Sequence, residues 1–308
     1  MNKLPYIDTR NMPREVWLKH RRDSIGGSDA AAILGMHSHA TAMTVWGDKT
    51  GRLPPEEENE AMRQGRDLEY YVAERWCEVT GKKVHRLNRM IRNLEYPYSH
   101  ADIDRKVVGE NAGLECKTIS AWDAEDRLDA GEIPPHYYVQ CVHYIAVTGA
   151  DRWYLAVLVL GRGFYEFTIE RDESEIAALM QAEADFWEQY VIPDEPPPAD
   201  GESPTTDALK KMYPDTCPSD VRLDDDVLNR YQRYRAERDA AEKLMETSKQ
   251  EIMLRMQEAE AGHGDAAEVK WKKHRRTTYD VKRFMKEHPE FDMTPYTKVT
   301  DYRIFEVK

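Results

Sequence analysis

The stretch Ser99 to Ser120, SHADIDRKVVGENAGLECKTIS, concentrates residues that could do chemistry. Read as two strands, side chains alternate, so Asp102 and Asp104 project from one face and Ile103 from the other. In the second run Glu115 and Lys117 share one face, while Leu114, Cys116 and Thr118 share the other. VVGENAG is a short, glycine-containing connection, so the two runs are expected to pair antiparallel. Pairing of this kind brings Asp104, Glu115 and Lys117 to one spot. Carboxylates crowded on a sheet interior are costly unless a cation neutralises them. Hard oxygen ligands of this type suit Mg²⁺ or Mn²⁺. A lysine beside them can orient or activate a water, or stabilise phosphate charge. Taken alone, D-x-D and E-x-K on strands more commonly form a solvated face with a cross-strand ion pair, so the neighbouring elements decide the reading.

Those elements have a mixed α/β pattern. Ser28 opens a short helix closed by Gly35, and Ala61–Thr80 is a longer one. The longer helix places Leu68, Val72, Trp76 and Val79 on one face and ends at Gly81. Three strand-like runs follow, Lys83–Arg92, Ser99–Val108 and Gly113–Ile119. Pro135–Val147 is an amphipathic helix, whose stripe of His136, Gln140, His143 and Tyr144 would ordinarily be its wet face. Trp153–Leu160 and Phe164–Glu170 read as a hairpin, and Glu173–Tyr190 as a helix. Pro193–Pro204 holds five prolines in twelve residues and reads as a linker between a domain at 1–192 and another at 205–308. Downstream, Asp224–Ala261 has no Gly or Pro and reads as one long helix, either a hairpin arm or a coiled-coil contact. Val269–Tyr279, Asp280–His288 and Tyr302–Val307 complete a small tail unit.

Composition excludes several classes. The 308 residues are 41% hydrophobic and 33% charged, a globular mix. No run of about 18 apolar residues exists, so no membrane span is expected, and the N-terminus lacks the apolar region of a secretory signal. The four cysteines form no CxxC pair, so neither a zinc nor an iron–sulfur site is expected, and a reduced, cytoplasmic chain is the default. His37 and His39 lie two apart without an evident third ligand and read as a solvated loop. The net charge of −13 is uneven: residues 263–308 hold 11 Lys/Arg against 8 Asp/Glu. A local basic patch, or ions held by carboxylates, can still bring an acidic protein to DNA. The run WKKHRR, Trp271–Arg276, is either a solvated strand face or a phosphate-contacting strand.

Four landmarks in order resemble the PD-(D/E)XK nuclease core, and more closely the YqaJ-type phage recombinases, relatives of lambda exonuclease. They are WLKHRRDSIGGSDAAAILG (Trp17–Gly35), GRDLEYYVAERW (Gly65–Trp76), ADIDR…GLECKT, and HYYVQCVHYIAVTG (His136–Gly149), together covering about residues 14–190. The resemblance implies an α/β (α+β) restriction-endonuclease-like core, a central mixed sheet flanked by helices. It implies that Asp104, Glu115 and the backbone carbonyl of Cys116 hold Mg²⁺ or Mn²⁺, that Glu69 adds a carboxylate for a second ion, that Lys117 is the catalytic lysine and that Gln140 orients the site. Arg21 and Ser28 fall where related exonucleases bind a 5′ phosphate, with Arg22 as a fallback. One departure matters: the motif's Pro-Asp pair is Ala101-Asp102 here, with a second acid at Asp104, which is preferred as the ligand because Asp-Arg before Val-Val suits this subfamily better.

The implied activity is a metal-dependent 5′→3′ double-strand exonuclease making 3′ tails for phage homologous recombination. The implied setting is a bacterial host's cytoplasm, with a phage or prophage gene, a single-strand annealing protein as partner, a homo-oligomer and no membrane. Two alternatives stand beside it: a catalytically quiet DNA-binding or docking module on a nuclease fold, and an endonuclease on the same core. Degenerate docking modules lose a carboxylate or the lysine, and Asp104, Glu115 and Lys117 are all present here.

Overall fold

The computed structural model describes residues 4–55, 57–121 and 127–307, and the chain falls into two units, Met1–Pro214 and Asp215–Lys308. In the first unit β1 (Tyr6–Asp8) precedes helices α1 (Arg14–Arg22), α2 (Gly27–Ile33), α3 (Ala42–Lys49) and α4 (Glu60–Thr80). Strands β2 (Val84–His85), β3 (Arg89–Asn93), β4 (Tyr96–Asp102), β5 (Arg105–Val107) and β6 (Ala112–Ser120) follow. Helix α5 (Pro135–Thr148) leads to the hairpin β7 (Arg152–Leu160) and β8 (Gly163–Glu170). Helix α6 (Glu173–Phe186) runs on through a π-helical turn at Trp187–Val191, and α7 (Ser203–Met212) closes the unit.

A five-stranded mixed sheet lies at the centre, in the order β2-β5-β6-β7-β8. Strands β6 and β7 are parallel, with Glu115 opposite Leu155 and Lys117 opposite Val157. Parallel neighbours need a crossover, and α5 supplies it. Helix α4 covers one face, where Val72, Ala73 and Trp76 pack on Val107, Leu114 and Tyr154. Helix α5 covers the other, where Val142 and Ile145 pack with Trp153 and Leu155. A sheet covered on both faces explains why β7 reads as the unbroken apolar run WYLAVLVL. Trp76 and Trp153 are fully buried, and truncating either to Ala would cost about 3–5 kcal/mol. Val79, expected on the buried face of α4, is 49% exposed; Ala73 completes the stripe instead. Gly81, at φ 72°, ends α4 in the left-handed conformation that favours glycine.

Two of the expected strands each divide between sheets. The run Lys83–Arg92 breaks at Asn88, φ 49°, so β2 joins the central sheet while β3 joins β1 and β4 in a second, three-stranded sheet. The run Ser99–Val108 breaks after Asp102. There β4 pairs with β3 (Met90 opposite Asp102), whereas β5 pairs antiparallel with β6 (Arg105 opposite Leu114). Asp104 therefore sits where the chain crosses from one sheet to the other.

The Pro-rich stretch does not end the first unit. Beyond it α7 packs back on α3: the hydroxyls of Thr41 and Thr205 are 2.8 Å apart, Ala208 is buried, and Met212 lies against Gly47. The prolines keep 193–202 out of helix and strand without preventing it from strapping the surface, where Arg52 pairs with Asp194, and Pro204 is accommodated in the first turn of α7. The division between units lies at Pro214/Asp215 rather than within 193–204.

In the second unit α8 (Asp225–Met256) is capped by the Asp224 side chain and stops at Gln257, φ 49°, short of Ala261. The hairpin β9 (Ala261–His263) and β10 (Glu268–Lys270), the helix α9 (Val281–Glu287) and a 3-10 turn at Thr294–Tyr296 follow. Of the tail segments Val269–Tyr279 and Tyr302–Val307, only the first two residues of the former lie in a strand, and the latter lies in neither helix nor strand. Among the described residues of this unit Met256 alone is buried. No described helix is long and apolar enough to cross a membrane.

Candidate active site

Strand β6 presents Glu115 and Lys117 on the face towards α5. Glu115 is 4% exposed, and its Oε1 accepts from Lys117 Nζ at 2.8 Å and from Gln140 Nε2 at 2.6 Å. Its other oxygen, Oε2, is buried and has no partner among the described residues. Asp104, from the crossing between sheets, accepts the Cys116 N–H on Oδ2 at 2.8 Å. Burial, with the charges of Glu115 and Glu69, pushes the Asp104 carboxyl well above its ordinary range. Burial alone would depress the Lys117 ammonium, but Glu115 and Asp104 outweigh it and raise its pKa. Lys117 thus stays protonated at neutral pH, with Nζ 5.3 Å from the Tyr137 ring centroid.

Gln140 lies on α5 and donates from the same amide to Glu115 and to the Tyr144 hydroxyl, 2.9 Å away. The polar stripe of α5 is thus not a wet face: Gln140, His143 and Tyr144 are all buried. Gly27 makes this packing possible, since a Cβ there would stand 2.8 Å from the Tyr144 ring and 3.0 Å from Gln140 Cγ.

Glu69 reaches the region from α4, as its effect on Asp104 requires, but its Oε1 is taken by Arg105 and by Arg86 at 3.2 Å. Arg105 was not singled out from sequence. Its guanidinium is 5% exposed and also bonds the Asp104 carbonyl at 2.8 Å. Asp102, two residues before Asp104, accepts from the Trp17 indole, and the charges of Arg21 and Glu69 act on it. Burial and the neighbouring carboxylates raise the Cys116 thiol well above its ordinary value, which disfavours the reactive thiolate.

A second constellation forms at the start of α2. Arg21 Nη2 donates to Ser28 Oγ at 2.9 Å, and its guanidinium lies 4.8 Å from the Trp17 ring centroid. Arg22 turns elsewhere, to Asp48 at 3.2 Å. Gly26, not Ser28, caps the helix, and the Asp29 side chain reaches back to the Gly26 N–H at 2.9 Å. Asp29 also pairs with Lys49 at 2.6 Å, and Lys49 bonds the Arg21 carbonyl at 3.1 Å. Burial would raise the Asp29 carboxyl, but Lys49 and Arg21 hold it far below its usual range. This buried pair, also missed from sequence, ties the end of α1 to the turn that carries Ser28. Arg21's charge acts on Asp102 and on Tyr144, placing this constellation beside the first.

His37 and His39 are joined by a third imidazole that sequence did not reveal: His136, whose ring lies 5.4 Å from that of His37. Burial, followed by His37 and Lys117, pushes His136 down to about 4. Among the described residues no three His, Cys, Asp or Glu side chains converge closely enough to hold an ion as they stand. The fit to a divalent cation rests on the buried, unpartnered oxygen of Glu115 and on the carboxylate crowding felt by Asp104.

Residues 16–151 match the model of the YqaJ-like viral recombinase domain. Along 96% of the chain the sequence is 36% identical to the Bacillus subtilis (strain 168) uncharacterized protein YqaJ, covering 95% of it. Among solved structures, the chain is similar to an alkaline exonuclease of Laribacter hongkongensis, with TM-score 0.48 and 22% identity over 57% of this chain and 91% of that one. It is also similar to a phage-related exonuclease from Haemophilus somnus 129PT, with TM-score 0.41 and 13% identity over 56% and 96%.

Proposed function

Because the chain belongs to the YqaJ-like viral recombinase family, we propose that it is a divalent-metal-dependent deoxyribonuclease, a 5′→3′ exonuclease that converts duplex DNA ends into 3′ single-stranded tails for phage recombination. The observation that carries the reading is Glu115 Oε2, a buried carboxylate oxygen without a partner among the described residues, beside an Asp104 whose charged form is disfavoured by burial and by the charges of Glu115 and Glu69. Asp104, Glu115 and the Cys116 carbonyl would hold Mg²⁺ or Mn²⁺, and Glu69 would contribute to a second ion. A divalent cation held there supplies Lewis-acid charge to the scissile phosphate and its attacking water.

The chain's own residues do the rest. Lys117, paired with Glu115 at 2.8 Å, would donate charge-assisted hydrogen bonds to the phosphate, or orient the attacking water, as negative charge develops. Gln140 fixes the Glu115 rotamer by bonding Oε1, which leaves Oε2 as the ligand. Release of Glu69 from Arg105 would free that carboxylate and give the phosphate backbone a guanidinium. Arg21 and Ser28 form the receptor for a terminal 5′ phosphate, which would replace their mutual hydrogen bond. A host-cell cytoplasmic setting, a homo-oligomer and an annealing-protein partner belong to the same reading.

The test is digestion of end-labelled linear and closed circular duplex DNA, with and without Mg²⁺. Release of nucleotides from the 5′ end of linear DNA, only with Mg²⁺, is expected. Cutting of the closed circle would make the protein an endonuclease, and binding without cleavage would make it a docking module.

A further inference from the structure

Residues 270–286 carry eight Lys/Arg and one acid in a chain whose net charge is −13. Among the described residues Lys272, Lys273, Arg275 and Arg276 enter no ion pair, although the protein is rich in carboxylates. Aromatic rings are interleaved with these cations and continue beyond them. Trp271 and Phe284 are each 43% exposed, Tyr279 92% and Tyr302 77%. The segment follows a defined course. It leaves the β9–β10 hairpin where Trp271 N–H bonds the Glu260 carbonyl. It ends alongside the start of α8, where Phe305 meets Tyr231 edge-on at 5.7 Å and the Arg235 guanidinium bonds the Val307 carbonyl. Its two ends thus lie by opposite ends of α8, separated by about 38 Å of helix, the rise from Tyr231 to Met256.

We propose that this cationic and aromatic track binds single-stranded DNA. Exposed rings spaced along a cationic path match the two demands of a single strand, phosphates to neutralise and unstacked base faces to cover. Duplex DNA keeps its base faces stacked on one another, so it would use the cations and leave the rings idle. The core of a protein–protein contact is depleted in lysine, unlike this segment, which makes a second copy of the chain a poorer occupant. A track of this length suits a site on the order of 4–16 nucleotides. The inference rests on the proposed function only for the source of the strand, the tail that end resection would leave.

The experiment uses the full chain in EDTA, where cleavage is blocked, with fluorescence anisotropy of labelled oligo(dT) of about 20 nucleotides, enough to fill such a site. A blunt duplex of equal length serves as the second probe. Oligo(dT) should bind, and the Trp271→Ala/Tyr279→Ala variant should bind it at least tenfold more weakly while its duplex affinity changes less than about threefold. Replacing Lys272, Lys273, Arg275 and Arg276 with Ala should flatten the salt dependence of oligo(dT) binding by up to about 0.7 per cation removed. Unchanged oligo(dT) affinity in the aromatic variant overturns the proposal. Equal losses on both probes also overturn it, leaving plain phosphate contact. A fall in the light-scattering mass of either variant without DNA assigns the surface to a second copy instead. Magnesium-dependent duplex digestion is scored separately. Oligo(dT) binding by a chain that digests nothing would sink the nuclease reading alone, and digestion without oligo(dT) binding would sink this one alone.

Discussion

Helix α5 contributes to two buried polar clusters less than a turn apart. His143 enters one: its Nδ1 lies 2.7 Å from Glu183 Oε1, its Nε2 donates to the His100 carbonyl at 2.8 Å, and Ser99 Oγ donates to Glu183 Oε2 at 2.5 Å. Every polar atom of His143 and Glu183 has a partner. Gln140 enters the other, where Glu115 Oε2 has none and burial, with the charges of Glu115 and Glu69, disfavours the charged form of Asp104. Glu115 and Gln140 are buried, as His143 and Glu183 are, while Asp104 and Lys117 are half-buried; the sharper difference is completion. A closed network rigidifies the core, whereas an open one leaves a buried acceptor at a cost in stability.

The comparison is broken or sharpened most strongly at Lys117. Lys117→Ala should lower single-turnover cleavage by about a thousandfold or more, because it removes a charge aimed at the reacting phosphate. Its circular dichroism should remain that of the wild type, and wild-type-like digestion by the folded variant would put the chemistry elsewhere.

In the closed cluster the large effect falls on stability instead. Glu183→Gln should cost about 3–5 kcal/mol by urea unfolding, since it strands a charge or a donor in the core. The sign of its pH dependence follows from His143. Burial would lower its pKa, but Glu183 and the His100 carbonyl raise it above 6.5 in the folded protein. A raised folded pKa gives stability that is full below about pH 6.5 and lost as pH rises through the folded value. The gap between wild type and Glu183→Gln should therefore be widest near pH 6 and narrow in alkaline buffer. A gap that widened with pH would mean His143 is neutral in the fold.

A smaller effect is expected at the end of α2. Ser28→Ala should reduce the preference for 5′-phosphorylated over 5′-hydroxyl duplex ends by about tenfold, as for one hydrogen bond to a charged group. An unchanged preference would remove Arg21 and Ser28 from the path of the DNA end.

Sequence showed the parts governed by local pattern. The apolar run of β7, the Gly81 stop of α4 and the β7–β8 hairpin all follow from side chains near in the chain. Asp104, Glu115 and Lys117 were also legible, because the short VVGENAG connection forces β5 onto β6 and alternation fixes the faces. The crossing between sheets after Asp102 was not, because alternation continues through it. It separates two acids that an unbroken strand would keep together, and sends Asp102 to Trp17. Arg105 and the Asp29–Lys49 pair were hidden for another reason: their partners lie 20 or more residues away, and a charged residue in sequence reads first as surface. Helix α7 was masked by the prolines before it, whose composition suggests a free linker.

Calorimetric titration of Mn²⁺ into the wild type and into Glu115→Gln, Asp104→Asn and Asp102→Asn tests the open cluster most directly. Binding by the wild type and by Asp102→Asn, with about tenfold or greater loss in the other two, is the expected result. No Mn²⁺ binding by the wild type, or a larger loss in Asp102→Asn than in Asp104→Asn, would contradict it.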